Sequence, residues 1–242
     1  YQPLLAVMMS AVGISTIGVV GPGQLGAGIA QVAIQAGYEV LLADISADAA
    51  EQGRAGGQGR LARGVSRGRL SQDDADAALA RLHATGDMGS FADCDLVVEA
   101  VSENLQLKLS IFEKLDQIAK PSAILASNTS SISITRLAAG TGRPEQFIGM
   151  HFMNPVPVMR LVEVIRGLQC TDEAYQQTVD FALHLGKEVV TVQRDYPGFI
   201  VNRILIPLLN EAVFALMEGV GAPEDIDKAI ELGLNHPMGP LK

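Results

Sequence analysis

Short apolar runs alternate with longer stretches of helical periodicity along most of the chain. Residues 17–20 form an apolar run ended by glycine, residues 25–36 carry helical spacing, and residues 38–43 are apolar again before a polar helical stretch; this order predicts a βαβ unit. Two more buried strands are predicted at residues 95–99 and 123–126, with helices over 105–119 and 132–139. Residues 147–152 and 161–165 extend the sheet, followed by a helix over 172–185 and a strand over 189–192. The alternation over residues 17–139 predicts an α/β fold, a parallel sheet with helices on both faces, which the later strands extend. After Pro197-Gly198 the pattern changes to a long apolar helix over 199–218 and a second helix with an acidic start near Ala222-Pro-Glu-Asp225. The expected organisation is therefore a doubly wound domain over 1–196 and the start of a smaller all-helical domain over 197–242.

The first turn carries chemistry. Gly21-Pro-Gly23-Gln24-Leu25-Gly26 has the spacing G-x-G-x-x-G between a predicted strand and a predicted helix, the setting of a Rossmann-type dinucleotide site. The first glycine permits the tight turn, the second lets a pyrophosphate approach the backbone, and the third lets helix and strand pack closely. Free N–H groups at the helix start hold the phosphates. Asp44 closes the second strand, where a carboxylate accepts hydrogen bonds from both ribose hydroxyls and repels a 2′-phosphate, so NAD is expected rather than NADP. The bland alternatives are a glycine-rich loop and a solvated strand-end carboxylate.

Composition narrows the partners. The formal net charge of −9 disfavours nucleic acid, whose phosphates attract clustered Lys and Arg. Only Cys94 and Cys170 are present, without metal-type spacing, so neither a disulfide framework nor a metal site is expected, and a reducing cytoplasmic location, or an organelle matrix, is the default. The leading residues 1–12 are apolar but lack a basic residue and are too short to span a bilayer, so they carry no expected secretion signal or membrane anchor. Lacking an initiating methionine before Met8-Met9, they are expected to be extraneous or a processed remnant, which intact mass against the gene would settle.

Among four histidines, His151 alone sits at the end of a predicted strand amid polar motif residues. Taking a hydride from an alcohol carbon requires a base for the hydroxyl proton, and histidine titrates near neutrality. Glu163 lies on the next predicted strand, where its carboxylate can hold one ring nitrogen and stabilise imidazolium. His83 and His184 fall on helical patterns and read as surface or packing residues; His236 belongs to a loop motif.

Taken in order, Ser127-Asn-Thr-Ser130-Ser131, Met150-His151-Phe-Met-Asn154-Pro, Leu161-Val-Glu163, Asp195-Tyr-Pro-Gly-Phe-Ile-Val-Asn202-Arg203 and His236-Pro-Met-Gly-Pro240 resemble the 3-hydroxyacyl-CoA dehydrogenases, from about Ile14 onward. The resemblance implies His151 as general base with Glu163 as its partner, and Ser130 and Asn202 holding the reacting oxygen. It also implies Glu103, Lys108 and Asn154 near the cofactor or substrate, with Ser130 shared between the two. Ser130 reads equally as a cap for the helix beginning near Ile132, and Asn202 as a buried amide. Arg54, Arg60, Arg63, Arg67 and Arg69 form the one basic cluster; Arg60, Arg63 and Arg67 share a helix face that suits coenzyme A phosphates, with a solvated face as the alternative. Arg67 is favoured because related enzymes place a basic residue about there, and Lys108 joins Arg60 and Arg67 as a coenzyme A candidate.

The resemblance further implies an acyl-CoA substrate of L configuration, a homodimer in the full-length protein, and additional helices after Lys242, so part of the second domain is expected to be absent. Pro22 and Leu25 depart from the family's turn without blocking its chemistry. Two competitors stand beside this reading. One is a dehydrogenase of a free hydroxy acid or sugar acid, for which removing charge at Arg54–Arg69 would leave affinity intact; the other is a non-catalytic NAD-binding protein.

Overall fold

The computed structural model describes residues 13–44 and 46–242; the apolar leading segment 1–12 lies outside them. Eight strands form one sheet: β1 (Thr16–Val20), β2 (Glu39–Ala43), β3 (Leu82–Thr85), β4 (Leu96–Glu99), β5 (Ile124–Ser127), β6 (Phe147–Phe152), β7 (Leu161–Arg166) and β8 (Glu188–Val192), in the order β3-β2-β1-β4-β5-β6-β7-β8. The first six strands run parallel in the doubly wound arrangement, with the order reversing between β1 and β4. The parallel run expected from the alternating elements continues through β6; beyond it, where the sequence pattern assigns no direction, β6–β7 is antiparallel and β8 runs parallel to β7. The reason is chain length: residues 153–160 cannot make the crossover of about a dozen or more residues that a parallel return needs.

The helices are α1 (Gln24–Gln35), α2 (Ala47–Ser66), α3 (Gln72–Leu79), α4 (Leu105–Ile118), α5 (Ile134–Ala138) and α6 (Asp172–His184). The side-chain oxygens of Ser46, Ser71, Asn104, Ser133 and Thr171 accept a backbone N–H at the starts of α2 to α6. Strands β4, β5 and β6 are buried at every position, as sheet strands covered on both faces must be. Sequence periodicity missed α3 and β3, and His83, expected on a helix, stands on β3. That strand is four residues long at the sheet edge, where His83 is exposed and meets Glu39 at 3.2 Å. His184 does end a helix; its Nδ1 hydrogen-bonds the Tyr38 hydroxyl at 2.7 Å.

Residues 1–196 form one compact unit and residues 197–242 a second. The second contains α7 (Val201–Met217) and α8 (Pro223–Gly233), each described within that unit. Buried Asp227 on α8 accepts the Leu241 N–H at 2.8 Å, Glu231 accepts that of Gly239 at 2.9 Å, and His236 Nδ1 donates to the Met238 carbonyl at 2.7 Å, so the closing loop motif folds back on α8. Among the described residues no helix is long and apolar enough to cross a membrane.

Candidate active site

Strands β1, β2, β4, β5 and β6 deliver the polar residues of the first unit to their carboxyl ends, where open α/β sheets hold ligands. Gly21 leaves β1 with φ +99°, a conformation that disfavours any side chain, and a Cβ there would lie 2.8 Å from the Ala100 carbonyl. At Gly26 a Cβ would stand 1.8 Å from the Gly21 carbonyl, so glycine alone lets α1 lie this close to β1. Gly23 faces open space, and α1 begins with neither a side-chain cap nor an acidic residue in its first turn. Gln24 and Leu25 open that turn. Its amides remain available to an anion.

A cavity of about 750 Å³ runs from Gly21 and Gly23 past Asp44 to Met88 and, on the facing side, Val101 and Lys114. Backbone-only phosphate donors at one position and a ribose-side carboxylate at another are the donor set a dinucleotide requires, so the residues present fit NAD.

Behind the cavity lies a polar network that sequence reasoning did not anticipate. Glu99 ends β4 fully buried; its Oε1 accepts Lys108 Nζ at 2.6 Å and the Val101 N–H at 2.7 Å, and its Oε2 accepts the Ser127 hydroxyl at 2.7 Å. Lys108 is 1% exposed and also donates to the Val101 carbonyl at 3.2 Å, with Glu103 Oε2 3.5 Å away. A carboxylate closing the apolar run Leu96-Val-Val-Glu99 was the available signal. Glu103 Oε1 accepts from Thr129 Oγ1 at 2.5 Å, Ser130 N at 3.1 Å, and Ser131 N and Oγ at 3.0 and 2.9 Å. Burial pushes Glu103 up, but the Thr129 and Ser131 donors and the Lys108 charge outweigh it and hold the carboxyl below its ordinary range. Glu103 thus organises the Ser127–Ser131 turn.

The turn presents Ser130 to His151. Ser130 Oγ lies 3.0 Å from His151 Nε2, and His151 Nδ1 lies 2.7 Å from Glu163 Oε2, with Glu163 fully buried. Because β6 and β7 are antiparallel, His151 and Glu163 are direct register partners, so both side chains leave the same sheet face. Buried Asn128 fixes the turn to β6 by accepting the Phe152 N–H at 2.8 Å. The cap of α5 is Ser133, not Ser130, so the capping alternative for Ser130 is excluded. Asn154 is exposed where β6 ends. Asn202 stands in the first turn of α7 in the second unit.

Four of the five arginines border a second groove of about 370 Å³, between α2 and the loop after β6, lined by Arg60, Arg63, Arg67, Arg69 and the loop residues Pro155, Pro157 and Val158, while Arg54 pairs with Glu51 instead. Arg60 Nε donates to Gln31 Oε1 at 2.7 Å and its Nη2 to the Ala27 carbonyl at 3.1 Å, tying α2 to α1. Lys108 does not line this groove: its ammonium is spent on Glu99, Val101 and Glu103.

Together the sheet order, glycine turn and histidine–carboxylate pair define a dinucleotide-dependent oxidoreductase architecture. The family model for the 3-hydroxyacyl-CoA dehydrogenase NAD binding domain matches residues 16–196, and that for the 3-hydroxyacyl-CoA dehydrogenase C-terminal domain matches residues 198–242. The chain belongs to the 3-hydroxyacyl-CoA dehydrogenase family, and it is an NAD-dependent enzyme of that family. A 3-hydroxybutyryl-CoA dehydrogenase of Bradyrhizobium diazoefficiens is 52% identical over 97% of this chain and 79% of its own, and a probable 3-hydroxybutyryl-CoA dehydrogenase of Deinococcus radiodurans 53% identical over 93% and 80%. The crystal structure of (S)-3-hydroxybutyryl-CoA dehydrogenase from Ralstonia eutropha superposes with a TM-score of 0.92 at 46% identity, covering 94% of this chain and 80% of that one.

Proposed function

We propose that the chain moves a hydride between C3 of an L-3-hydroxyacyl-CoA, with 3-hydroxybutyryl-CoA as the reference substrate, and NAD, giving the 3-ketoacyl-CoA. One observation carries the assignment of roles: His151 is held at 2.7 Å by a fully buried carboxylate on one nitrogen while the other meets a hydroxyl at 3.0 Å. A carboxylate accepts only, so the Nδ1 proton belongs to the Glu163 contact and Nε2 keeps its lone pair. Nε2 is then the base that takes the substrate's hydroxyl proton, and Glu163 stabilises the imidazolium that forms. The Ser130 hydroxyl donates to Nε2 in the structure; with substrate present it turns to the reacting oxygen as that oxygen gains carbonyl character. Bound NAD supplies the nicotinamide carbon that accepts the hydride.

Gly21, Gly23, Gln24, Leu25 and Gly26 would hold its pyrophosphate and Asp44 its adenosine ribose, with Glu103 and Asn154 toward the nicotinamide end and Lys108 acting through Glu103. Asn202 is assigned to the reacting oxygen, and Arg67, with Arg60 and Arg63, to the phosphates of coenzyme A. A cytoplasmic location and a homodimer belong to the same reading; the two buried free cysteines support the first, and exposed Ile206, Met217 and Val220 of the second unit support the second.

Mixing the protein with 3-hydroxybutyryl-CoA and NAD should raise the absorbance of reduced nicotinamide. No turnover with any 3-hydroxyacyl-CoA would overturn this function.

A further inference from the structure

The loop joining β6 to β7 forms one wall of the arginine groove, and its anchorage is unusual. Lys187, which precedes β8, is 7% exposed, and its ammonium reaches the Val156 and Met159 carbonyls, the latter at 2.8 Å. Neither partner is a carboxylate, although a buried ammonium is costly to desolvate and is ordinarily paired with one. The two carbonyls bracket Pro157 and Val158, which face the groove. From the other side Val156 is 1% exposed against Gly28 of α1, where a Cβ would lie 2.9 Å from the valine Cβ. The opposite wall is referred to the same helix, since Arg60 ties α2 to Ala27 and Gln31. Both walls of the groove are therefore registered on one turn of α1, and Lys187 is the charged pin that keeps the loop wall there.

We infer that Lys187 is a positioning residue for coenzyme A recognition: it clamps residues 156–159 so that the loop and the α2 arginines stand at the separation that accepts the nucleotide part of the substrate. The inference rests on the assignment of the arginine groove to coenzyme A, while Lys187 itself touches neither substrate nor cofactor.

The test compares the wild-type protein with Lys187→Met and Lys187→Arg. Calorimetry with free coenzyme A should show affinity falling about tenfold in Lys187→Met, the loss expected when charge-assisted hydrogen bonds to a recognition loop disappear. Lys187→Arg, which retains cationic donors, should recover most of it. In turnover, the kcat/KM preference for 3-hydroxybutyryl-CoA over 3-hydroxybutyryl-pantetheine, which lacks the nucleotide, should fall by about the same factor and chiefly through KM. A merely structural lysine would depress both esters equally and leave that preference untouched, which would overturn the inference, as would wild-type coenzyme A affinity in Lys187→Met. If Lys187→Met does not fold, Lys187→Gln, with a shorter neutral donor, is read in the same way. A wild-type protein that binds coenzyme A, loses that binding in Lys187→Met, yet turns over no hydroxyacyl-CoA would sink the proposed reaction and keep this inference. One that binds no coenzyme A would overturn the inference itself.

Discussion

The glycine turn and the His151–Glu163 pair sit at the same end of one sheet but are built by different means. The turn is a backbone site: six consecutive residues make it, its geometry comes from absent side chains, and its donors are amides at the start of α1. The pair is a side-chain site: its members stand on separate strands, and their contact exists because β7 reverses direction against β6. A backbone site is broken by adding atoms, a side-chain site by removing them. Affinity for the cofactor and the rate of proton transfer should accordingly respond to separate sets of substitutions.

The sharpest break is His151→Gln. Loss of a general base should lower kcat by about 10³-fold, while NADH affinity measured by fluorescence titration stays within a factor of two; retained turnover would remove His151 from the mechanism. Glu163→Gln should cost roughly 10²-fold in kcat, since an amide can leave the imidazole in the wrong tautomer and offers no charge to the imidazolium. Stopped-flow traces that match wild type would show that the register pairing does not serve catalysis.

On the other side, Gly26→Ala forces a methyl group against the Gly21 carbonyl. An overpacking cost of about 2 kcal/mol corresponds to roughly thirtyfold weaker NADH binding, with the His151 chemistry intact at saturating NAD. Asp44→Ala should reduce the preference for NADH over NADPH by about tenfold, the worth of hydrogen bonds to a charged group plus relief of phosphate repulsion. An unaltered cofactor ratio would detach Asp44 from ribose recognition.

The smallest effect lies away from both sites. His184 is held below the ordinary histidine range by burial, and its Nε2 is buried without a hydrogen-bond partner among the described residues. As pH falls through the unfolded value, the unfolded chain binds this proton first, so stability decreases from there down to the folded value and changes little above it. Thermal melts of wild type should drift downward by about 2 °C more than His184→Asn between neutral and mildly acid pH; parallel drifts would refute the assignment.

How far each site could be read before folding follows from the same contrast. Gly21, Gly23, Gly26 and Asp44 were legible because their spacing is local: a strand end, a tight turn and a helix start lie next to one another in the chain. His151 and Glu163 were legible as candidates through their motifs, but the pattern gave no direction for the strand pair that joins them, and that direction sets their register. β3 escaped notice because a four-residue edge strand buried only at Leu82 leaves almost no periodic signal. Glu99, Asn128 and Lys187 escaped because a buried polar residue is identified by its partners, which lie elsewhere in the chain. Lys108 illustrates the converse, a basic residue that the resemblance put near ligands and that the fold encloses among Glu99, Val101 and Glu103.

The sequence by itself determined the alternation that makes a doubly wound sheet, the glycine turn, the candidate base and the point after Tyr196 where the pattern becomes helical. Those properties depend on hydrophobic period, glycine's conformational freedom and residue type, all of which are local. Tertiary structure alone decided that β7 runs back along β6 and sets Glu163 opposite His151, that Ser130 faces the imidazole while Ser133 caps α5, and that a lysine from the start of β8 clamps a groove wall. Each of these is a meeting of distant segments, fixed only when strand register and helix packing choose which buried polar groups find one another.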